Sequence, residues 1–225
     1  MEETQGLSPS PLPMRLIEVF FNPGKLFETL REKPLWFGAL FVGALLVTAS
    51  VLLIPSELLV QASRAAILRQ GGEVPPFMEG AGGLFKVIGV LGAVLFWFIW
   101  AFLLAAVAVV VFAFLFGDEG RYVQYLSVVS HALIISAVGA LLTLPLRIVQ
   151  EDPALTLSLG TFAFFLEEGY PLRVLKGLDL FSLWGYGVMA VGATKIDPRR
   201  GFTSALIVFL LVGLVTALLF GIPQG

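Results

Sequence analysis

The sequence predicts an all-α, polytopic membrane protein: a bundle of five transmembrane helices preceded by an amphipathic helix at the interface. Three observations carry that prediction. From Val87 to Phe116 the chain passes without one charged side chain, and the hydrocarbon core of a bilayer, about 30 Å thick, asks for roughly 20 apolar residues of helix. Hydrophobic residues make up 58 % of the chain and charged residues 13 %, against about 45–50 % and about 25 % in an ordinary soluble domain, so the excess apolar surface needs lipid to cover it. Further apolar runs of membrane-crossing length recur between breaks marked by proline, glycine and charge.

The elements follow in order. Met1 to Pro13 is polar and proline-rich and reads as a disordered tail. It lacks the basic start and short apolar core of a secretory signal. Residues 14–225 read as one membrane domain, since no long polar linker interrupts them. From Met14 to Lys33 the pattern is amphipathic, with Leu16, Ile17, Val19 and Phe20 in one apolar group and Leu26, Phe27 and Leu30 in another. Asn22 before Pro23 marks a helix start. Such a helix suits either the headgroup boundary or the protein's own cytoplasmic face.

The first span is Leu35 to Ile54. A loop follows whose first half, Ser56 to Gln70, suits a surface helix and whose glycine–proline half does not continue it. The second span, Leu84 to Phe116, would measure roughly 50 Å as α-helix, and is expected to tilt or project rather than split. A turn at Gly117 to Gly120 leads into the third span, Tyr122 to about Leu144. Ala154 to Leu166 is too short to cross and reads as interfacial or re-entrant. The fourth span is Val174 to Thr194 and the fifth Phe202 to Ile222, joined by a short basic turn.

Arg15, Lys25, Arg31 and Lys33 precede the first span, and Lys195, Arg199 and Arg200 share that turn. Where basic residues sit on short loops they mark the cytoplasmic side. The reading is a multi-pass protein of the inner membrane with its N-terminus in the cytoplasm.

Three stretches, in this order and spacing, resemble the Yip (Ypt-interacting protein) domain membrane proteins in their bacterial branch. They are Val19 to Glu28 ahead of the first span, Tyr122 to Ala132 opening the third, and Asp179 to Trp184 with Gly192 in the fourth. The resemblance implies five membrane helices, a cytoplasmic N-terminus and no known catalytic activity. Eukaryotic relatives are tied to Rab-type GTPases through an acidic-tyrosine-glycine-proline motif before the first span. This chain has none there, so that link is not carried over.

Among chemistry-bearing residues, Gln124, Ser127 and His131 recur at helical spacing and share one face. Polar groups at membrane depth face a bundle interior or a water-filled cavity. The stripe reads first as interhelical hydrogen bonding and second as a proton-responsive or ligand-contacting site. Asp179 is the one acid placed within a span, where helix capping or pairing with Lys176 or Arg147 accounts for it. A cation site with serine hydroxyls is the alternative. Ser182, Gly185 and Gly192, with Met189, fall on one side of the fourth span and read as helix-packing positions.

Nothing in the pattern calls for a catalytic residue, a cofactor or a metal ion: cysteine is absent, metal-ligand spacing is missing, and the serines have no histidine–acid partners at a recognised spacing. The small net charge of −2 makes nucleic acid an unsuitable partner. Membrane lipids, other membrane proteins or further copies of the chain are the expected partners. Of three function classes, a non-enzymatic scaffold or partner-binding protein ranks first. A small transporter or channel subunit using the Gln124, Ser127, His131 face ranks second, and an intramembrane enzyme third. His131→Ala is expected to leave insertion intact.

Overall fold

A computed structural model describes residues 8–78 and 80–221, the side chain of Phe220 apart. These residues are helical, without a named strand. Three of the helices are long and apolar enough to cross a bilayer: Gly82–Leu115, Tyr122–Val149 and Phe202–Leu219. A fourth crossing is supplied if Phe37–Leu53 and Ser56–Arg69, bent by 85°, count as one span. The predicted first span appears as Phe37–Leu53 and the predicted fourth as Leu180–Ile196, each 17 residues long. That is the lower end of what spans a bilayer.

Inter-residue contacts divide the chain into two compact units. The first takes in the described residues up to Gly43, with Ile99–Ser136 and Ser182–Gly213. It opens with α1 (Leu12–Phe21) and α2 (Pro23–Glu32). Pro13 sits early in α1, where a missing N–H costs nothing, so the helix starts two residues inside the stretch read as a tail. Met1–Leu7 of that stretch lie outside the described residues. At Asn22 the helix breaks, and the Asn22 side chain accepts from Lys25 N at 3.4 Å to open α2. Val19, Leu26, Phe27 and Leu30 are buried within the unit, while Met14, Ile17 and Phe21 on α1 are exposed. One face of this segment thus packs on the protein's own body, and the other is apolar and open.

The same unit holds the end of α5 (Gly82–Ala108), which stays helical but rewinds as a π-helix over Val109–Leu115. Phe116 N bonds to Val111 O at 3.0 Å, and Gly117, at φ 73°, stops the helix. The expectation that this span would not split holds; the wider winding was not foreseen. It places Phe112 inward, stacked on Tyr125 at 5.8 Å and tilted against Phe209 at 5.6 Å.

The second unit comprises Ala44–Phe98, Ala137–Phe181 and the described residues from Leu214. Here α3 (Phe37–Leu53) ends before Pro55, and a helix forms where one was expected, α4 (Ser56–Arg69), finished by Gly71 at φ 72°. Lys86 donates to Leu52 O at 3.0 Å. α6 (Tyr122–Leu142) continues past the expected end through α7 (Leu144–Val149), with Pro145 at the start of that last turn. The 154–166 stretch holds only a four-residue helix, α8 (Leu159–Phe162).

The predicted fourth span, 174–194, is corrected. α9 (Tyr170–Lys176) stops at Gly177, and α10 (Leu180–Ile196) begins after a break. Leu159 N bonds to Leu178 O at 3.0 Å and Leu180 N to Leu157 O at 2.8 Å, so the 178–180 backbone pairs sideways with 157–159 instead of along a helix. Asp179 consequently lies in the break, ahead of α10, and not inside a span. α11 (Phe202–Gly221) completes the described chain.

Outward-facing side chains on the long helices are large and apolar, among them Leu91 and Leu95 on α5 and Leu211 on α11. A water-soluble protein does not leave contiguous apolar faces of this length open. Lipid satisfies them, and the helices satisfy their own backbone groups.

Candidate functional site

The polar stripe on α6 is a seam against the N-terminal segment of the first unit. Gln124 Nε2 donates to Arg31 O at 2.8 Å, and its Oε1 accepts from Arg121 N at 2.7 Å. Ser127 Oγ donates to Leu35 O at 3.3 Å. His131 is fully buried. Its Nδ1 lies 2.8 Å from Ser127 O and its Nε2 3.4 Å from an Arg15 guanidinium nitrogen. A carbonyl only accepts and a guanidinium only donates, so the proton sits on Nδ1 and the Nε2 lone pair receives Arg15. The imidazole is neutral in this arrangement. Arg15 also donates to Leu35 O at 3.2 Å, and burial holds its pKa below the usual arginine value despite the opposing charge of Glu18.

Three successive residues of the stripe thus hold α2, the link between α2 and α3, and α1. Gln124 also lines a surface cleft of about 340 Å³ together with Arg31, Glu119, Ile196, Asp197 and Arg199; Ser127 and His131 do not. His131→Ala is expected to leave insertion intact while freeing α1, read as faster proteolysis of the 8–34 segment in reconstituted vesicles. Unchanged proteolysis would show that Arg15 holds without the histidine.

The other predicted residues lie elsewhere. Asp179 belongs to the second unit, where it forms a bridge with Ser158 and interacts electrostatically with Arg147. Ser182 Oγ is 3.4 Å from Ser136 Oγ in the first unit. Gly185 and Gly192 face α6, next to Ala132 O and Val128 respectively. Among the described residues no group of three histidine, cysteine or acidic side chains could hold a metal.

A second cluster was missed from sequence, where Asp118 and Glu119 fell in the Gly117 to Gly120 stretch read only as a turn. In fact Asp118 binds Arg200 at 2.5 Å, and Asp197 binds Arg199 at 2.6 Å. Arg199 reaches Gly117 O at 3.3 Å and Glu119 N donates to Asp197 at 3.2 Å, so the 117–121 and 197–201 turns are clamped together. Arg199 hydrogen bonds hold the Asp197 carboxyl well below the usual range, and Asp118 raises Arg200. The available signal was an acidic pair in one short turn and a basic pair in another that a five-span plan puts on the same side.

The Yip1 domain model matches residues 17–221. The chain belongs to the Yip1 domain family. It is 25 % identical over 203 residues, 86 % of this chain and 84 % of the relative, to a Bacillus subtilis (strain 168) protein described as membrane protein YknW. No solved structure matches the chain. Within the Yip1 domain, two of the stretches that carried the resemblance belong to the elements of the seam: 19–28 is the α1–α2 corner, between the seam residues Arg15 and Arg31, and 122–132 is the opening of α6. The third, 179–184, starts α10, and its Trp184 packs edge-on against Phe20 of α1 at 5.6 Å.

Proposed function

We propose that this Yip1 domain protein is a non-enzymatic scaffold of the inner membrane that binds other membrane proteins or further copies of itself, with its N-terminus in the cytoplasm. One observation carries the reading. The α6 polar stripe, the face on which a transport path would depend, spends its hydrogen bonds on the N-terminal segment and its own backbone. Ser127, Ser130 and His131 are fully enclosed, and neither Ser127 nor His131 lines the cleft that Gln124 borders. What the protein offers its surroundings is an apolar helical surface together with the α1–α2 pair. The orientation draws support from the 2.5 Å Glu28–Lys195 ion pair, which joins the N-terminal basic segment to the end of α10, just ahead of the basic 197–201 turn.

The absence of native cysteine makes single-cysteine cross-linking a clean test. Cysteines placed at Leu91 and Leu211, on outward faces, are expected to give defined cross-linked species in native membranes. The purified protein in vesicles is expected not to dissipate an imposed proton gradient. Uncross-linked monomer, together with a proton leak abolished by His131→Ala, would replace the scaffold reading by the transport one.

A further inference from the structure

The 155–166 segment carries three phenylalanines turned away from the protein. Phe164 is 91 % and Phe165 75 % exposed, with Phe162 also open and the Phe164 and Phe165 rings edge-on at 6.0 Å. This is not a loose loop. Arg147 Nε donates to Leu155 O at 2.9 Å, Thr161 Oγ1 accepts from Ser158 N at 3.2 Å, and Leu166 N bonds to Ala163 O at 3.0 Å. Gly160 lies so close to Lys176 that a Cβ there would sit 2.7 Å from the lysine's backbone nitrogen. Hydrophobic side chains held outward by a fixed backbone require a medium that covers them.

Where that medium begins can be read within the same unit. After Phe165 and then Leu166 come exposed Glu167 and Glu168, the latter paired with Lys176 at 3.1 Å. Tyr170 OH donates to Leu218 O at 3.1 Å, and Arg173 Nε donates to Gly221 O at 3.0 Å, so this charged stretch sits at the end of the apolar helix α11. A charged rim and a tyrosine at the end of a membrane helix mark the headgroup level. The segment's irregular backbone does not belong in the hydrocarbon core, where unpaired amides find no water. Its phenylalanines are nevertheless out of place in bulk water.

We propose that the 162–165 aromatic knuckle is a lipid-binding anchor, lying in the bilayer surface at the α11 end with its rings inserted just below the headgroups and its backbone above the hydrocarbon. The occupant is the phospholipid boundary itself. The assignment stands apart from any scaffold role, since it concerns how the domain is seated and not what it recruits.

Full-length single-cysteine variants Phe164→Cys, Phe165→Cys and, as a water-facing reference, Glu168→Cys are labelled with an environment-sensitive fluorophore. They are reconstituted into vesicles of mixed zwitterionic and anionic phospholipid. At 164 and 165 the emission is expected to shift to the blue. Quenching there by nitroxides on the headgroup or high on the acyl chain should exceed several-fold that by a nitroxide near the chain end. Position 168 is expected to respond to aqueous iodide. Should 164 and 165 respond to iodide as 168 does, the anchor is overturned in favour of a solvated loop. Strongest quenching by the chain-end nitroxide overturns it in favour of a re-entrant segment, and a cross-link between copies through residue 164 without lipid quenching overturns it in favour of a protein contact. The two phenylalanine positions are independent, so a folding failure at one leaves the test at the other.

Discussion

Replacing Arg200 by methionine is expected to destabilise the protein by about 3 kcal/mol, and replacing Asp118 by leucine in the same chain to recover most of that loss. The Asp118 side chain is 3 % exposed and that of Arg200 17 %, with a second bond from Arg200 Nε at 3.2 Å. The guanidinium also lies over Phe116, 4.5 Å from the ring centroid. Removing it alone leaves a carboxylate shut in without a cation, which costs far more than the pair contributes when both members are present. Lys176–Glu168, more than half exposed on both sides, is the contrasting case, since pairs of that kind contribute about 0–1 kcal/mol. Thermal unfolding in mild detergent, run as a double-mutant cycle, separates the pair from its surroundings. An Arg200→Met cost as small as that of Lys176→Ala would mean the two turns are not clamped by this contact.

Gly192→Ala is expected to cost about 1–3 kcal/mol, as overpacking does in a closely fitted core, whereas Gly185→Ala on the same face is expected to be tolerated. A Cβ at 192 would stand 2.6 Å from Val128 Cγ2 and 3.1 Å from its Cβ. Val128 is buried and, being β-branched in a helix, has one strongly preferred rotamer, so it cannot swing aside. A Cβ at 185 would meet the Ala132 carbonyl oxygen at 3.4 Å, ordinary contact, and would gain the helix preference of alanine over glycine, about 1 kcal/mol. In lipid, where water gives no push between helices, close backbone approach is a main source of association. The same unfolding measurement ranks the two variants, and equal effects would show that α10 and α6 do not depend on the space at 192.

The helical course and the breaks at Asn22–Pro23, Pro55 and Gly71 were legible because each rests on local chemistry: a capping amide, a missing N–H, a left-handed glycine. So was the shared face of Gln124, Ser127 and His131, which follows from helical period alone. What that face meets was not legible. Arg31 O and Leu35 O are backbone atoms with no signature in side-chain pattern, and Arg15 lies 116 residues from His131. The break before Asp179 was hidden for a related reason. Lys176, Gly177 and Asp179 interrupt the apolar run there, but a glycine and two charges near a helix end do not by themselves show a stop. It is the sideways pairing with 157–159 that shows the helix stopping and restarting.

Taken by itself, the order of residues determined that most of this chain lives in lipid, that it is helical, and which family it resembles, because apolar excess, run length and helix punctuation are properties of each segment alone. Tertiary structure decided what the polar residues are for. His131 became the acceptor for a buried arginine, Asp118 the counter-ion of Arg200, and Asp179 a residue of a break and not of a span. Each of those assignments depends on which distant backbone or charge arrives beside the side chain once the helices pack.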